Sequence, residues 1–322
     1  MNRLRVLPGW LRVAPALVVM AWGGNHFTPL LHMYQDLGNY SVVTVDLFLG
    51  MYVVGLVPGL LVAGPLSDRY GRKPLAVVGV LGGIGASVLL ALGFGSELVI
   101  CLGRLLAGLS VGVAMSVGTS WVKELSSAPF DLVADATAGA RRPSLSLTLG
   151  FGVGAGVSGA LAQWGPWPTI TPYVGHVVLS VLALALLATA TETIGGHRST
   201  TSLLADLRVP VAHHRRFVRV VVPAAPWIFG AAGIAYAVMP QLVSDQTGDL
   251  SLAYATLLTV LTLGTGAAVQ PFVKGINART GGRAIVVGMV LMLVGMVLAA
   301  TNGAVLSPVL GGVAAVTLGA AY

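Results

Sequence analysis

Apolar residues in this chain run in long blocks and do not alternate or recur on one face. Ten blocks can be read, at about residues 13–33, 42–66, 75–94, 98–121, 145–164, 173–191, 218–242, 251–273, 284–301 and 304–322. Most are close to twenty residues, the length at which a helix rising 1.5 Å per residue crosses roughly 30 Å of hydrocarbon. The pattern predicts an all-α membrane protein with about ten transmembrane helices. The start, Met1 to Arg12 followed by an apolar run, has the look of a signal peptide. Nine further blocks follow it, which favours a first membrane helix.

Most connections are short; the exceptions are Val122–Ser144 and Thr191–Phe217. The second divides the chain into six spans and four. The expected organisation is a six-helix bundle over 1–191, a cytoplasmic linker over 192–217 and an incomplete four-helix bundle over 218–322. Within the linker, Leu203, Leu204, Leu207 and Val209 suit a short helix on the membrane surface, though a solvated linker is the plainer reading. His213 and His214 in the same segment have no acid or thiol nearby in sequence, so no metal site is expected.

Composition narrows the class further. Only 9% of residues are charged and the mean hydropathy is +0.87, whereas soluble domains carry about 25% charged residues. The formal charge of +7 does not point to nucleic acid, because the basic residues lie in short loops between apolar blocks. With the N-terminus cytoplasmic, all of the 18 Lys and Arg except Arg104 fall on the inner side. The loops near Gln35, Ser96, Trp167, Asp245 and Asn302 then lie outside and hold none. The expected location is the cell membrane, multi-pass, with the bilayer as a partner. Cys101 is the lone cysteine, so no disulfide forms within the chain, and no cofactor is indicated.

One loop carries a motif. Gly64-Pro-Leu-Ser-Asp68-Arg69-Tyr-Gly71-Arg72-Lys73 lies between spans two and three. Gly64 is expected to admit a neighbouring helix and Gly71 a tight turn. Asp68 beside Arg69 and Arg72 can form a charged latch, or face a positive helix N-terminus. A weaker copy, Ala278-Arg-Thr-Gly-Gly-Arg-Ala-Ile-Val-Val-Gly288, follows span eight, as two related halves would require. The first segment resembles the major facilitator superfamily signature G-x-L-x-D-R-x-G-R-[RK], and the likeness extends over the chain in span order. That resemblance implies a helical bundle of twelve spans, in which this loop locks the first half against the eleventh helix. Helices eleven and twelve are not found in this sequence, so a non-transporting truncated fragment is a rival reading.

Arg104 lies inside span four. A buried arginine costs about 2.5–3.5 kcal/mol to insert, so it is expected to face protein and find a partner. Arg104-Leu-Leu-Ala-Gly108-Leu-Ser-Val-Gly112 resembles the family's second motif, which implies a part in proton coupling. Gly108 and Gly112 are spaced for close helix packing. By depth along their spans, Asp46, Asn25 and His26 can meet Arg104. Asp46 is the expected proton carrier, with Arg104 setting its affinity and His26 assisting; a static ion pair is the alternative.

Span five contains Gly150, Gly152, Gly154, Gly156 and Gly159. A dinucleotide fingerprint is rejected there because no strand precedes it. In the resembled family, antiporters carry G-x-x-x-G-P on this helix; here Ala155 follows Gly154 where proline would stand. The resemblance implies that spans one and seven line the solute cavity, making Trp22, Asn25, Tyr236 and Gln241 candidates, with Gln270 as a further one. The expected function is secondary transport of a small organic solute, coupled to protons, with efflux slightly ahead of uptake. A membrane-embedded lipid enzyme would need clustered His, Asp or Ser at one face, and no such constellation is found, so no enzyme is expected.

Overall fold

The computed structural model describes residues 7–195, 207, 213–215 and 217–321. The described chain is helical. Helix α1 spans Gly9–Asn25, and after a 3-10 turn at Thr28–Leu30 comes α2, Leu31–Gly38. Next are α3 (Val42–Tyr70), α4 (Arg72–Leu92), α5 (Glu97–Val113), α6 (Thr119–Leu125), α7 (Ala138–Trp164) and α8 (Thr171–Ala188). The second half contributes α9 (Val222–Gly233), α10 (Met239–Leu242), α11 (Ser244–Thr247), α12 (Ser251–Val269), α13 (Val273–Arg279), α14 (Ala284–Val305) and α15 (Pro308–Ala321).

Among the described residues, eight helical stretches are long and apolar enough to cross a membrane. That is two fewer than the ten apolar blocks. The first block is not one continuous helix: α1 stops at Asn25 after 17 residues and the chain turns through a 3-10 segment containing Pro29. Proline has no N–H to continue the helical ladder, so a break is favoured there. The last block contributes only the 14 residues of α15, because Leu306 adopts a left-handed conformation that separates it from α14. Elsewhere helices outrun their apolar blocks; α5 and α6 join through a π-turn at Ala114–Gly118 into one stretch, Glu97–Leu125. The surface helix expected near Leu203, Leu204 and Val209 lies outside the described residues, as do Arg3, Arg5, His197 and Arg198. His213 and His214 are exposed.

The chain forms two compact units: residues 1–26, 34–154 and 166–208, and residues 27–33, 155–165 and 209–322. In the first, Leu17, Met20, Val80, Val117, Trp121 and Leu187 belong to a buried cluster formed from five spans. Its tightest seam lies between α3 and α5. A Cβ at Gly108 would strike the Tyr52 carbonyl oxygen and stand 2.7 Å from the Leu56 nitrogen; at Gly112 it would stand 2.6 Å from the Gly59 Cα. Glycine on both sides brings the two backbones together, which carries Arg104 up to the carbonyls of α3. Gly154 does the same for α7 and α1: a Cβ would come within 2.6 Å of Trp22.

At one end, Arg142 fixes the long segment between α6 and α7. Its guanidinium donates to Asp131 at 2.7 Å and lies 4.4 Å over the Trp10 ring. The bond from Arg142, with backbone N–H groups adding to it, holds the Asp131 carboxyl below its usual range.

The second unit packs Ala231, Met239, Leu258, Met292, Ala314 and Leu318 in its core. Gly295 accommodates Leu318, which a Cβ would meet at 2.6 Å. Tyr254 donates to the Pro308 carbonyl at 2.7 Å, and Gln163 donates to the Asp249 carbonyl at 2.9 Å.

Candidate functional site

Two polar assemblies stand out in the first unit, one inside the bundle and one at its basic end. The inner one is built on Arg104, whose side chain is buried with 1% of the residue exposed. Nε donates to the Phe48 carbonyl at 3.2 Å, and a terminal nitrogen donates to the Gly24 carbonyl at 3.4 Å. The guanidinium carbon lies 4.8 Å from the centre of the Tyr52 ring. Gly24 is in the last turn of α1, where carbonyls point out of the helix and the dipole is negative. Carbonyl oxygens, a helix C-terminus and an aromatic face thus all favour the cation at Arg104. Only glycine fits at position 24, since a Cβ would meet Val111 at 2.5 Å and the Tyr52 hydroxyl at 3.1 Å.

Imidazoles and phenols surround the turn after α1. His26 is fully buried, its ring edge-on to Tyr173 at 5.0 Å and to His176 at 5.2 Å between centroids. Among the described residues neither ring nitrogen of His26 has a hydrogen-bond partner. Tyr34 and Tyr173 share a hydroxyl–hydroxyl bond of 2.8 Å. His176 contacts the Ser87 hydroxyl through Nδ1 at 2.8 Å and the Val19 carbonyl through Nε2 at 2.8 Å. Asn25 donates to the Phe151 carbonyl at 3.1 Å, and Trp22 tilts over His176 at 6.3 Å.

The structure therefore brings His26, Asn25, Trp22 and Arg104 into one bundle interior. It does not bring Asp46 there. Asp46 is exposed on α3, two residues before the buried Phe48 and so about 200° around the helix from it. Tyr236 and Gln241 are half-buried in the second unit, and Gln270 there is exposed.

The second assembly contains the motif loop. Gly71 joins α3 to α4 at φ 107°, and a Cβ there would also come within 2.7 Å of the Glu192 carboxylate. Both facts require glycine. Arg72 bridges Asp68 at 2.7 Å and Glu124 at 2.8 Å, and donates to Ser67 at 2.5 Å. Lys73 donates to the carbonyls of Ala188 and Ala190, at 2.5 and 3.2 Å, closing the C-terminal end of α8. Arg69 is half-buried beside them. Gly64 does not hold a helix close; a Cβ there meets nothing within 4 Å, and its carbonyl accepts from Ser67 at 2.7 Å.

Glu192 caps α4 from a distant part of the chain, accepting the backbone N–H of Arg72 at 3.0 Å and of Lys73 at 2.9 Å. Burial alone would raise its pKa. The N–H groups of Lys73, Ile194, Arg72 and Thr193 outweigh that and hold the carboxyl below its usual range. The cap is therefore intact at neutral pH and is lost only as pH falls through the lowered range of this carboxyl. Glu192→Gln should cost about 1 kcal/mol, as for other helix caps, and flatten the acid limb of a melting-temperature profile measured in detergent. An unchanged profile would remove the capping role.

A sequence profile of the Major Facilitator Superfamily matches residues 13–322. The chain belongs to that superfamily. A 160-residue stretch is 31% identical to quinolone resistance protein NorB of Staphylococcus aureus (strain JH9), covering 49% of this chain. That match spans 31% of the relative's length. The nucleoside transporter NupG, as its D323A mutant, superposes with a TM-score of 0.73 at 13% identity over 97% of this chain and 79% of that one. The xylose transporter XylE from E. coli, partially occluded and inward open, gives 0.59 at 13% identity over 98% and 81%. These likenesses show that the fold is that of a superfamily transporter, a multi-pass membrane protein.

Sequence reasoning passed over several residues that these assemblies use, among them Tyr34, Tyr52, Tyr173, Glu124, Glu192, His176 and Ser87. Glu124 and Glu192 are two of only 11 acidic residues, each at the end of an apolar block. Sought as partners for Arg72 at that end, they were within reach. His176 is an ionisable residue inside a span and carried its own signal. Ser87 had none.

Proposed function

We propose that the protein is a secondary active transporter moving a small organic solute, coupled to protons, with export favoured over uptake. Membership of the superfamily and the buried cation at Arg104 carry this reading. A charge that costs free energy to bury is retained within a span, surrounded by imidazoles and phenols that can exchange protons. The relative named for quinolone resistance favours export.

In this reading the loop Gly64, Asp68, Arg69, Gly71, Arg72 and Lys73 is a conformational latch that Glu124 and Glu192 complete. Arg104 and His26 serve proton coupling, while Asp46 stands at the aqueous edge. Trp22, Asn25, Tyr236 and Gln241 contact the solute. The one-sided distribution of Lys and Arg supports an N-terminus on the cytoplasmic side of the cell membrane.

Everted membrane vesicles containing the protein test the export reading. An imposed gradient, acid inside, should drive accumulation of a fluorescent quinolone or of a lipophilic cation, and a protonophore should collapse it. Accumulation of solute only with the reverse gradient would replace export by uptake. No gradient-dependent movement across a panel of organic solutes would sink the transport reading.

A further inference from the structure

Two imidazoles share the bundle interior, and the hydrogen bonds around them are unequal. The Val19 carbonyl can only accept, so His176 Nε2 carries a proton. In the neutral ring Nδ1 is then bare and accepts from the Ser87 hydroxyl at 2.8 Å. Gly23 makes this possible, because a Cβ there would come within 3.0 Å of Nε2. Ser180, one turn along α8, lies 3.4 Å from the same nitrogen.

A second proton would go to Nδ1. Ser87 accommodates it by rotating, so that its oxygen accepts from Nδ1 and its own hydrogen turns to the Gly83 carbonyl one turn earlier. Hydroxyls in this protein make that turn-back bond elsewhere, Thr259 to Ala255 at 2.8 Å and Ser120 to Ser116 at 2.9 Å. Both protonation states of His176 are thus fully hydrogen-bonded by the same groups. His26 is fully buried, and protonation would leave it with two N–H groups and no acceptor among the described residues. A buried charge without partners is the costlier state.

We infer that His176 is the proton-binding residue of this cluster, with Ser87 as its reversible donor–acceptor and His26 assisting as a neighbour that stays neutral. The inference deepens the proton-coupling reading and rests on it for its consequence in transport. The titratable and charged groups of this interior are His26, which follows α1, Tyr34 from α2, Arg104 from α5 and Tyr173 from α8, while α4 contributes Ser87. Tyr34 and Tyr173 are neutral near pH 7. The fixed charge of Arg104 opposes an imidazolium in the same interior. Proton arrival at His176 would add a second positive charge to the interior that holds Arg104.

Solid-state NMR of protein with 15N-labelled histidine rings, reconstituted in liposomes, separates the two imidazoles. A soluble paramagnetic reagent removes the surface histidines, and pH is varied from about 5 to 8. One remaining ring should pass from imidazole to imidazolium; that signal should persist in His26→Gln and vanish in His176→Gln. Ser87→Ala, a milder change that guards against misfolding, should weaken proton binding about tenfold, since a hydrogen bond to a charged group is removed. Loss of the titrating signal in His26→Gln and its retention in His176→Gln would overturn the assignment, as would an unshifted midpoint in Ser87→Ala or no titrating ring. A luminal pH dye reports proton flux in the same liposomes. Titration at His176 without gradient-driven flux upholds the assignment and refutes the coupling reading.

Discussion

Arg104→Gln should reduce gradient-driven transport at least about a hundredfold while leaving insertion and folding intact. The reason lies in what holds the side chain. Its contacts include two backbone carbonyls, of Phe48 and Gly24, and the face of Tyr52. The Phe48 carbonyl lies within α3 and keeps its helical position whether or not Arg104 is present. Gly24 lies in the last turn of α1, just before a turn that Pro29 already favours. Glutamine can still donate to one of these carbonyls, and it removes the cost of an intramembrane cation, about 2.5–3.5 kcal/mol on insertion scales. The folded protein therefore loses little, and the coupling reaction loses its only buried cation among the described residues. Lysine should rescue poorly, because a single ammonium on a flexible stem lacks the planar fork that reaches two carbonyls and an aromatic ring at once. Flux in proteoliposomes, normalised to the monodisperse protein recovered in detergent, is the measurement. Normal flux in Arg104→Gln would show that the buried charge serves packing alone.

Gly108→Leu should have the opposite profile, with the folded protein lost before function can be measured. The first atom added at position 108 collides with the Tyr52 carbonyl and stands 2.7 Å from the Leu56 nitrogen. Both obstacles are backbone inside α3, and neither can rotate aside. Helices α3 and α5 must then separate, opening the seam that Gly55, Gly59 and Gly112 also form. Overpacking a core costs about 1–3 kcal/mol where side chains can give way, and here they cannot, so about 3 kcal/mol or more is expected. Gly82→Leu and Gly152→Leu are the controls, since a Cβ at either meets nothing within 4 Å. Thermal melts followed by size-exclusion chromatography should show Gly108→Leu aggregated and both controls close to the parent. Equal behaviour of the three would mean that the seam is looser than described.

The placement of the spans was legible because it is a one-dimensional property. Blocks of apolar residues between short charged loops need no knowledge of tertiary structure. The facing of each helix was not legible. Along α3, Val53, Val54, Val57 and Leu61 are exposed while Val45, Phe48 and Leu56 are buried. In lipid both faces are apolar, so hydrophobic period no longer marks the inside. That is why Asp46 was expected beside Arg104 and instead points away.

Gly71 was readable because a turn between two helices, flanked by charges, constrains its residue strongly. Gly64 was misread in its packing because a glycine within an apolar block looks the same whether or not a helix lies against it. Glu192 reaches Arg72 across 120 residues of sequence, and no local spacing announces such a cap. His176 with Tyr173 and Ser180 does form a polar stripe on α8 that reads correctly once the helix is phased.

In the proposed mechanism the interior of the first bundle converts proton movement into solute movement. The direct measurement is luminal pH in proteoliposomes as an outward or inward solute gradient is imposed with no other energy source. Proton coupling predicts a pH change that reverses sign with the solute gradient, and none in Arg104→Gln. Solute movement with no accompanying pH change in the parent protein would contradict it.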